Sequence, residues 1–586
     1  MPTEDDRIFE FGSFRLDPAA AALTVDGLPV QLKPKAFDLL VMLVGEPGRL
    51  FTKDELMERL WPDTFVEEAN LTQTIYELRR ALGESARSPQ FIQNVPKRGY
   101  RFSGTPRILK APSSERRASS GLASVAVLPF RSISSEQRDE ALELGIAETL
   151  ATAMSRLGKF IVRPVSAVLN FAANESDPIA AGQQLGVDAI LYGTIQYASG
   201  DRLRVSVRFD RTDGSPALWA GTFDERTDDI FELQDSLLEK VLESLSLKLA
   251  DVGTRRPRDR RATDAETHKL FLKCRYHWYK WTPENWRLSV EYGRQVIERD
   301  PVHAEAHAWT AASFCTLGIF GVLPPAEAFG KAREFVVRSL ELDASSSKAH
   351  EILAAINLFY AWDWPKLPGI LRQALDLDPN NSTAHNLKAL FEATEGRFEE
   401  AMASIDRALE IDPLSLVSNT DKGFLLIYAG RFAEALDQLE RTLELDPYFA
   451  HAHYGLGFAH SAMGSHFEAL ENMKDGVRFE GIAAEDSAEV GFAAARSGEA
   501  EEAKRIAEKL EAKGSAGYHD PYRTALVYSG LNEMERTFQY LRQAVGNRSR
   551  ELIYLNCHPA FAWLRGEGEF SRLLGEIGLA PEQART

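Results

Sequence analysis

The sequence has few cysteines and no long apolar run. Cys274, Cys315 and Cys557 are the three cysteines among 586 residues, and they lack the C-x-x-C spacing that is typical of zinc sites. No stretch approaches the roughly 20 consecutive apolar residues that a transmembrane helix requires, and no apolar segment follows a basic start as in a secretory leader. We therefore expect a soluble, cytoplasmic protein whose thiols are reduced, with no disulfide framework and no membrane anchor.

Signatures of catalysis are also lacking. The chain contains no Gly-rich phosphate loop, no nucleophile elbow and no paired metal carboxylates. His303 and His307 stand at i and i+4, but the glutamate between them is displaced from the HExxH position and no third ligand is evident. These histidines are predicted to lie on the surface of a helical repeat. We expect neither an enzyme nor a bound metal or cofactor.

Charge is distributed unevenly along the chain. The formal net charge is −18, yet residues 1 to 121 contain as many basic as acidic side chains, so the excess of acid lies in residues 122 to 586. Residues 87 to 117 hold eight basic side chains and one acidic side chain, Glu115. A local basic strip in an acidic protein favours contact with nucleic acid at one place only.

The most informative pattern lies between residues 66 and 103. Apolar residues at i, i+4, i+7 and i+11 predict one buried face of a helix that Gly83 ends, and these residues are Leu71, Ile75, Leu78 and Leu82. Two strand-like runs follow, Phe91 to Val95 and Tyr100 to Ser103. The turn between them, residues 96 to 99, carries Lys97 and Arg98. The pattern predicts a helix followed by a basic β-hairpin.

The residues upstream predict a small antiparallel sheet at 8 to 33, a helix at 34 to 46 and a second helix that opens at Thr52 with a capping-box pattern. The helix at 71 to 82 would then be the third. Over residues 8 to 104 this order resembles the winged-helix output domain of OmpR/PhoB-type bacterial regulators, especially CadC-like members. The motifs that carry the resemblance are Pro34-Lys-Ala-Phe-Asp-Leu-Leu40, Leu60-Trp-Pro62, Leu78-Arg-Arg-Ala-Leu82 and Gly99-Tyr-Arg-Phe102.

The resemblance implies that the domain binds double-stranded promoter DNA. Polar side chains of the third helix would face base edges in the major groove, namely Asn70, Gln73, Thr74 and Glu77, with Tyr76 and Arg80 beside them. Lys97, Arg98, Arg101 and Arg79 would contact phosphates. Ala69 and Glu77 depart from the family pattern. The loop from Trp61 to Glu68 corresponds to a segment with which some relatives touch RNA polymerase.

Residues 105 to 123 are polar and rich in Ser and Arg, and they are interpreted as a flexible linker. Residues 124 to 250 then alternate between strand and helix patterns, which predicts an α/β layer domain. Val127-Leu-Pro-Phe130 and the segment from Leu185 to Ile195 resemble the TolB N-terminal/FlgO-like domain.

Residues 251 to 264 form a second, basic linker, after which the sequence repeats with a period of 34 residues. The repeated positions are Gly396, Gly430, Gly464 and Gly498; Ala401, Ala435, Ala469 and Ala503; and Asp378, Asp412 and Asp446, each followed by Pro. This resembles tetratricopeptide (TPR) repeats. Roughly eight units are expected over 265 to 549, followed by a cap and tail at 550 to 586. Their concave face is expected to bind a protein or a peptide.

The predicted architecture is multidomain: an α+β winged helix, an α/β layer domain and an all-α TPR solenoid. The predicted function is that of a DNA-binding transcriptional regulator whose solenoid binds a partner or transmits a signal. The alternative is a TPR scaffold whose winged helix serves mainly protein contacts. The identity of the target genes, the signal and the partner is left open by the sequence.

Overall fold

The structure is a computed structural model. It describes residues 7–110 with gaps, of which the largest are 61–70 and 83–90, and residues 122–226 with short gaps; positions 236, 239 and 240 follow, and then residues 265–579 with a break at 517–518. Within the stretch 61–90, seven positions are described: Leu71, Thr74, Ile75, Leu78, Arg79, Ala81 and Leu82. The chain divides into two compact units, Met1–Gly121 and Leu122–Thr586.

The first unit contains two antiparallel sheets around a helical core. Its first sheet has the order β4-β3-β2-β1-β8 and its second the order β5-β7-β6. The strands are β1 (Arg7–Phe11), β2 (Phe14–Asp17), β3 (Ala22–Val25), β4 (Leu28–Pro29), β5 (Phe51–Thr52), β6 (Ile92–Val95), β7 (Gly99–Phe102) and β8 (Arg107–Lys110). The helices Pro34–Gly45 and Lys53–Leu60 precede the helical positions at 71–82. This is the predicted winged-helix order.

The predicted boundary at residue 104 is too early. β8 pairs antiparallel with β1, so that Arg7 lies opposite Lys110 and Glu10 lies opposite Arg107. Composition alone led to the interpretation of this segment as linker. β8 is the last strand of its sheet, and a polar sequence is common in an edge strand because such a strand has one side open to solvent. Residues 107 to 110 therefore belong to the sheet of the first unit.

The second unit opens with a six-stranded mixed sheet of order β11-β9-β12-β13-β14, to which β10 adds beside β12. Its strands are β9 (Ser124–Val127), β10 (Arg131–Ser132), β11 (Ile161–Val162), β12 (Ala189–Ala198), β13 (Arg202–Arg211) and β14 (Trp219–Arg226). The helices are Glu140–Ser155, Val165–Ala172 and Pro178–Gln184. The α/β prediction is confirmed, and the helix Val165–Ala172 was not predicted. The sequence from Asp229 to Leu249 also predicts a helix, and this segment lies almost wholly outside the described residues.

Over residues 265–547 the described helices form eight antiparallel pairs. The pairs are Ala265–Trp278 with Pro283–Arg299, Ala304–Ile319 with Pro325–Leu342, Ser347–Ile356 with Leu367–Leu377, Ser382–Thr394 with Phe398–Ile411, Leu416–Tyr428 with Phe432–Leu445, Ala450–Ala462 with His466–Glu480, Ala488–Ser497 with Ala500–Ala516, and Pro521–Gly530 with Met534–Asn547. We number them repeats 1 to 8. The predicted period corresponds to one pair per repeat.

The small residues of the repeat take the places that the period predicts. Gly396, Gly430, Gly464 and Gly498 all have positive φ, between 74° and 94°, at the turn between the paired helices. Such a backbone is strained for residues with a Cβ. The alanines at 401, 435, 469 and 503 are fully buried where the two helices of a pair approach. Beyond repeat 8, short helical turns at Arg550–Tyr554 and Pro559–Leu564 lead to the helix Gly568–Glu576.

Among the described residues, none of the helices combines the length and the apolar composition that crossing a bilayer demands.

Candidate DNA interface and partner cavity

The third helix of the first unit packs as its spacing predicts. Leu71, Ile75, Leu78 and Leu82 are all buried, in one core with residues of the first two helices and both sheets. Arg79 is also buried, and its Nη2 donates a hydrogen bond to the carbonyl oxygen of Ile92 at 2.8 Å. Because Ile92 begins strand β6, this bond connects the helix directly to the hairpin.

The hairpin is a tight antiparallel pair. Ile92 lies opposite Phe102 and Val95 lies opposite Gly99, and Arg98 N donates to Val95 O at 3.0 Å across the turn. Gly99 is required here, because a Cβ at this position would lie 1.9 Å from the carbonyl oxygen of Phe51 on β5. The close approach of β5 thus fixes the base of the hairpin, and the turn projects from it.

The predicted DNA-contacting residues occupy different environments. Arg98 is exposed at the turn, and Arg101 is half-buried with its Nε donating to Gln93 Oε1 at 2.7 Å. Thr74 is buried, as is Arg79. Asn70, Gln73, Tyr76, Glu77, Arg80 and Lys97 lie outside the described residues, as does the loop from Trp61 to Glu68. The contacts predicted for all these residues stay predictions.

In the second unit, the α/β domain docks on the solenoid through the aspartates that recur with the 34-residue period. Ser155 Oγ donates to Asp378, and Ser166 Oγ donates to Asp412 Oδ2 at 3.0 Å. Asn380 Nδ2 donates to the carbonyl oxygen of Phe160 at 3.0 Å. The α/β domain therefore binds two successive repeats, 3 and 4, at equivalent positions. The 34-residue period identifies these aspartates as repeated positions but does not indicate that they bind the α/β domain.

Arg163 is the main polar link of this interface. Its guanidinium is 7% exposed and donates to Leu185 O at 3.0 Å and Gly186 O at 3.2 Å within its own domain. It also donates to Ile411 O at 2.9 Å and to Glu410 O at the end of the helix Phe398–Ile411. A cation at a helix C-terminus is favoured by the helix dipole and supplies donors to otherwise unsatisfied carbonyls.

A second group of contacts lies at repeat 1. Arg275 forms a buried ion pair with Glu148 of the α/β domain, and Tyr279 donates its hydroxyl to Glu148 Oε1 at 3.1 Å. Tyr276 also donates to Glu140. The aromatic stretch around these residues packs into repeats 1 and 2, with Trp278 and Trp309 ring centroids 5.2 Å apart. These aromatic side chains therefore contribute to the packing between the first two repeats.

A cavity of about 3380 Å³ lies between the α/β domain and the solenoid. The solenoid side of the cavity is lined mainly by the first helix of each repeat, which we call the inner helix. The C-terminal segment lines part of it, and Tyr554 stacks there on Tyr428 with centroids 4.7 Å apart. Outside the cavity, Arg548 donates to the carbonyl oxygen of Tyr360 at 2.9 Å. Trp364 Nε1 donates to Ile577 O at 2.7 Å. The C-terminal segment after repeat 8 thus contacts repeat 3.

The titration properties of this region follow from burial. Burial raises the pKa of Asp412 to about 6, although the hydrogen bond from Ser166 and the charge of Arg163 lower it, and burial raises the pKa of Asp421 in repeat 5 to about 6.

Three histidines of the repeats share one hydrogen-bond pattern. His307, His385 and His453 each donate from Nε2 to the carbonyl of the proline six residues earlier, at 3.1 to 3.2 Å. Burial lowers the pKa of His307 and His385, so both favour the neutral form. His385 and His453 thus occupy the same structural position in two different repeats.

Residues 27–102 match the family described as "Transcriptional regulatory protein, C terminal", and residues 370–415 and 420–471 match tetratricopeptide repeats. The chain is 23% identical over 402 residues to the transcriptional regulator HilA of Salmonella typhi, which covers 68% of this chain and 69% of HilA. It is 33% identical over 96 residues to the transcriptional activator CadC of Escherichia coli, covering 16% of this chain and 19% of CadC.

A third relative is named putative adenylate cyclase 3, of Rhizobium meliloti, with 28% identity over 239 residues, 39% of each chain. The chain therefore carries an OmpR/PhoB-type DNA-binding domain and TPR repeats and is homologous to transcriptional regulators, as predicted. The TolB N-terminal/FlgO-like resemblance of residues 124 to 250 stays a prediction.

Proposed function

We propose that this protein regulates transcription by binding promoter DNA through residues 8 to 110 and a protein partner through the solenoid. The observation that carries the proposal is the coupling between helix and hairpin. Arg79 joins the third helix to β6, and the hairpin that β6 begins presents the exposed Arg98 at its turn. A helix for the major groove and a basic turn for the backbone are thereby held in one rigid arrangement.

The environments of the side chains refine the proposed roles. Lys97, Arg98 and Arg101 supply phosphate contacts, and Asn70, Gln73 and Glu77 read base edges, flanked by Tyr76 and Arg80. Thr74 and Arg79 are buried, so we assign them to positioning the helix rather than to direct readout. The loop from Trp61 to Glu68 is proposed to contact RNA polymerase.

We propose binding rather than catalysis as the activity of residues 122 to 586. Several of their buried polar side chains hold the two domains together: Ser155, Arg163 and Ser166 bind the solenoid through Asp378, the end of repeat 4 and Asp412. A protein that binds chromosomal promoters in a bacterium acts in the cytoplasm, and we place it there.

The test is binding of the full-length protein to sheared genomic DNA from its own organism, at two salt concentrations. We expect enriched sites whose affinity falls at least about tenfold in Lys97→Glu/Arg98→Glu, with a salt slope that becomes shallower by about one for each phosphate that the variant no longer neutralises. The single variant Arg98→Glu is compared with a control, Lys35→Glu, which makes the same change of charge at an exposed lysine on the first helix of the same domain. Equal weakening of DNA binding by Arg98→Glu and Lys35→Glu, or the absence of an enriched sequence, would favour a scaffold whose winged helix contacts proteins.

A further inference from the structure

We propose that the cavity between the α/β domain and the solenoid binds a peptide segment bearing Lys or Arg, with one cationic head group placed at Asp421. The inference rests on the proposed function, in which the solenoid holds a protein partner, and it specifies the chemistry of that partner.

The first support is the charge of the cavity wall. Fifteen acidic and seven basic side chains line the cavity. Six of the seven basic side chains pair with acidic side chains of the same wall: Arg138 with Glu143, Arg275 with Glu148, Lys280 with Glu140, Lys348 with Glu351, Arg523 with Glu489, and Arg550 with Glu551. The seventh, Arg163, donates to main-chain carbonyls of the domain interface. The wall keeps an excess of negative charge and favours a cationic ligand.

The second support is the surroundings of Asp421, on the inner helix of repeat 5. The carboxylate accepts a hydrogen bond from a neutral donor, Asn386 Nδ2, at 2.9 Å, whereas the acidic residues just named have a cation within 4 Å. The positive charge of Arg550, which is itself paired with Glu551, also favours the ionised form of Asp421, but the two side chains form no ion pair within 4 Å among the described residues. Asn386 Nδ2 also bonds Ser418 Oγ at 3.1 Å, which fixes the amide and the carboxylate in place. A carboxylate held this way offers a preformed position for an ammonium or guanidinium group.

The size and lining of the cavity favour a peptide over a small cation. Its volume of about 3380 Å³ exceeds the roughly 300–1,000 Å³ that is typical of small-molecule pockets. Phe424 and Tyr428 stand one and two turns beyond Asp421 on the same helix, and Phe449 and Tyr554 share the wall. Aromatic rings beside a carboxylate accommodate the apolar stem of a Lys or Arg side chain and attract its cationic end.

The test measures anisotropy of three fluorescein-labelled dodecapeptides with the full-length protein: (Arg-Leu-Ala)₄, (Gln-Leu-Ala)₄ and (Glu-Leu-Ala)₄. We expect the arginine peptide to bind at least about tenfold more tightly than the glutamine peptide and the glutamate peptide to bind weakest. Asp421→Asn should weaken the arginine peptide about tenfold. The matched control is Asp437→Asn, an exposed aspartate of the same repeat outside the cavity wall, which should leave the affinity within about twofold.

Three results would overturn the inference: equal binding of the arginine and glutamine peptides, equal weakening in Asp421→Asn and Asp437→Asn, or displacement of the arginine peptide by spermidine at the same concentration as by unlabelled peptide. The peptide ranking with unmodified protein decides the question even if Asp421→Asn is unstable. DNA binding is measured on the same samples. Loss of peptide selectivity with retained DNA binding contradicts this inference alone, whereas absence of DNA binding contradicts the proposed function.

Discussion

The two junctions of this chain look alike in sequence and differ in structure. Residues 111 to 121 and 251 to 264 are both polar segments with arginines between domains. Yet the first separates two compact units, whereas the domains on either side of the second belong to one unit, joined by Arg163, Ser155 and Ser166. The composition of the second linker thus does not reveal that the domains beside it form one compact unit. Docking depends on side chains that lie elsewhere.

The largest effect should come from removing the main polar link of the second junction. Arg163→Ala deletes a buried guanidinium and leaves the carbonyls of Leu185 and Ile411 without their donor. We expect the free energy of unfolding of the second unit to fall by about 3–5 kcal/mol, the range for breaking a buried charged network. Urea unfolding of Arg163→Ala and of the unchanged protein measures this difference in free energy.

Arg202→Ala is the control, because Arg202 is an exposed arginine on β13 of the same domain and should change the free energy of unfolding by less than about 0.5 kcal/mol. If Arg163→Ala behaves like Arg202→Ala, the α/β domain is held to the solenoid by other contacts.

The next effect is a pH dependence of the same junction. Burial raises the pKa of Asp412 from 3.8 to about 6, so between these values the folded protein binds this proton more tightly than the unfolded chain does. The carboxyl therefore favours folding fully below about pH 4, and this contribution is lost as the pH rises through about 6.

Asp412→Asn removes the titration. Relative to the unchanged protein, the variant should gain about 1–3 kcal/mol of stability between about pH 4 and about pH 7, since one pKa unit corresponds to about 1.4 kcal/mol. The stability difference between the two proteins, measured by urea unfolding at several pH values, isolates this residue. A difference that stays constant with pH would mean that Asp412 keeps an ordinary pKa.

These junction contacts mark the limit of what the sequence could predict. The winged-helix order and the helix pairs were predictable because each rests on a short-range pattern: the apolar face of the third helix, or glycine and alanine every 34 residues. Ser155 and Asp378 are 223 residues apart, and Arg163 and Ile411 are 248 apart. A pair at such separation leaves no periodic trace in one sequence.

Short strands were missed for a related reason. β5 has two residues, Phe51 and Thr52, too few to show an alternation, although their close approach leaves no room for a Cβ at Gly99. β8 has polar ends and lies beside prolines and serines, so its composition favoured a linker.

In the candidate DNA site, the burial of Arg79 could not be foreseen, since a basic residue on a recognition helix fits a phosphate contact equally well.

A smaller effect should come from the interaction at repeat 1. Tyr279→Phe removes the hydroxyl that donates to Glu148 Oε1 while the ion pair of Glu148 with Arg275 stays. We expect the free energy of unfolding to fall by about 0.5–1.5 kcal/mol, the usual net contribution of one hydrogen bond. Tyr448→Phe removes the hydroxyl of a tyrosine that is 69% exposed and should change nothing measurable. A decrease as large as that of Arg163→Ala would place the main link of the junction at repeat 1 instead.

The smallest effect is expected where the chain is cut at the first junction. A fragment of residues 1–121 should bind DNA within about twofold of the full-length protein at about 0.15 M salt. Its core residues, from Phe9 to Phe102, pack among themselves, and the charge of −18 carried by residues 122 to 586 acts over little more than a screening length of about 8 Å at that salt. At about 0.01 M salt the screening length grows to about 30 Å, so the fragment should then bind more tightly than the full chain. Arg98→Glu should weaken both proteins equally, since the turn lies in the part they share. Tighter binding by the fragment at both salt concentrations would instead mean that the second unit covers the DNA-binding surface directly, and the first junction would then resemble the second.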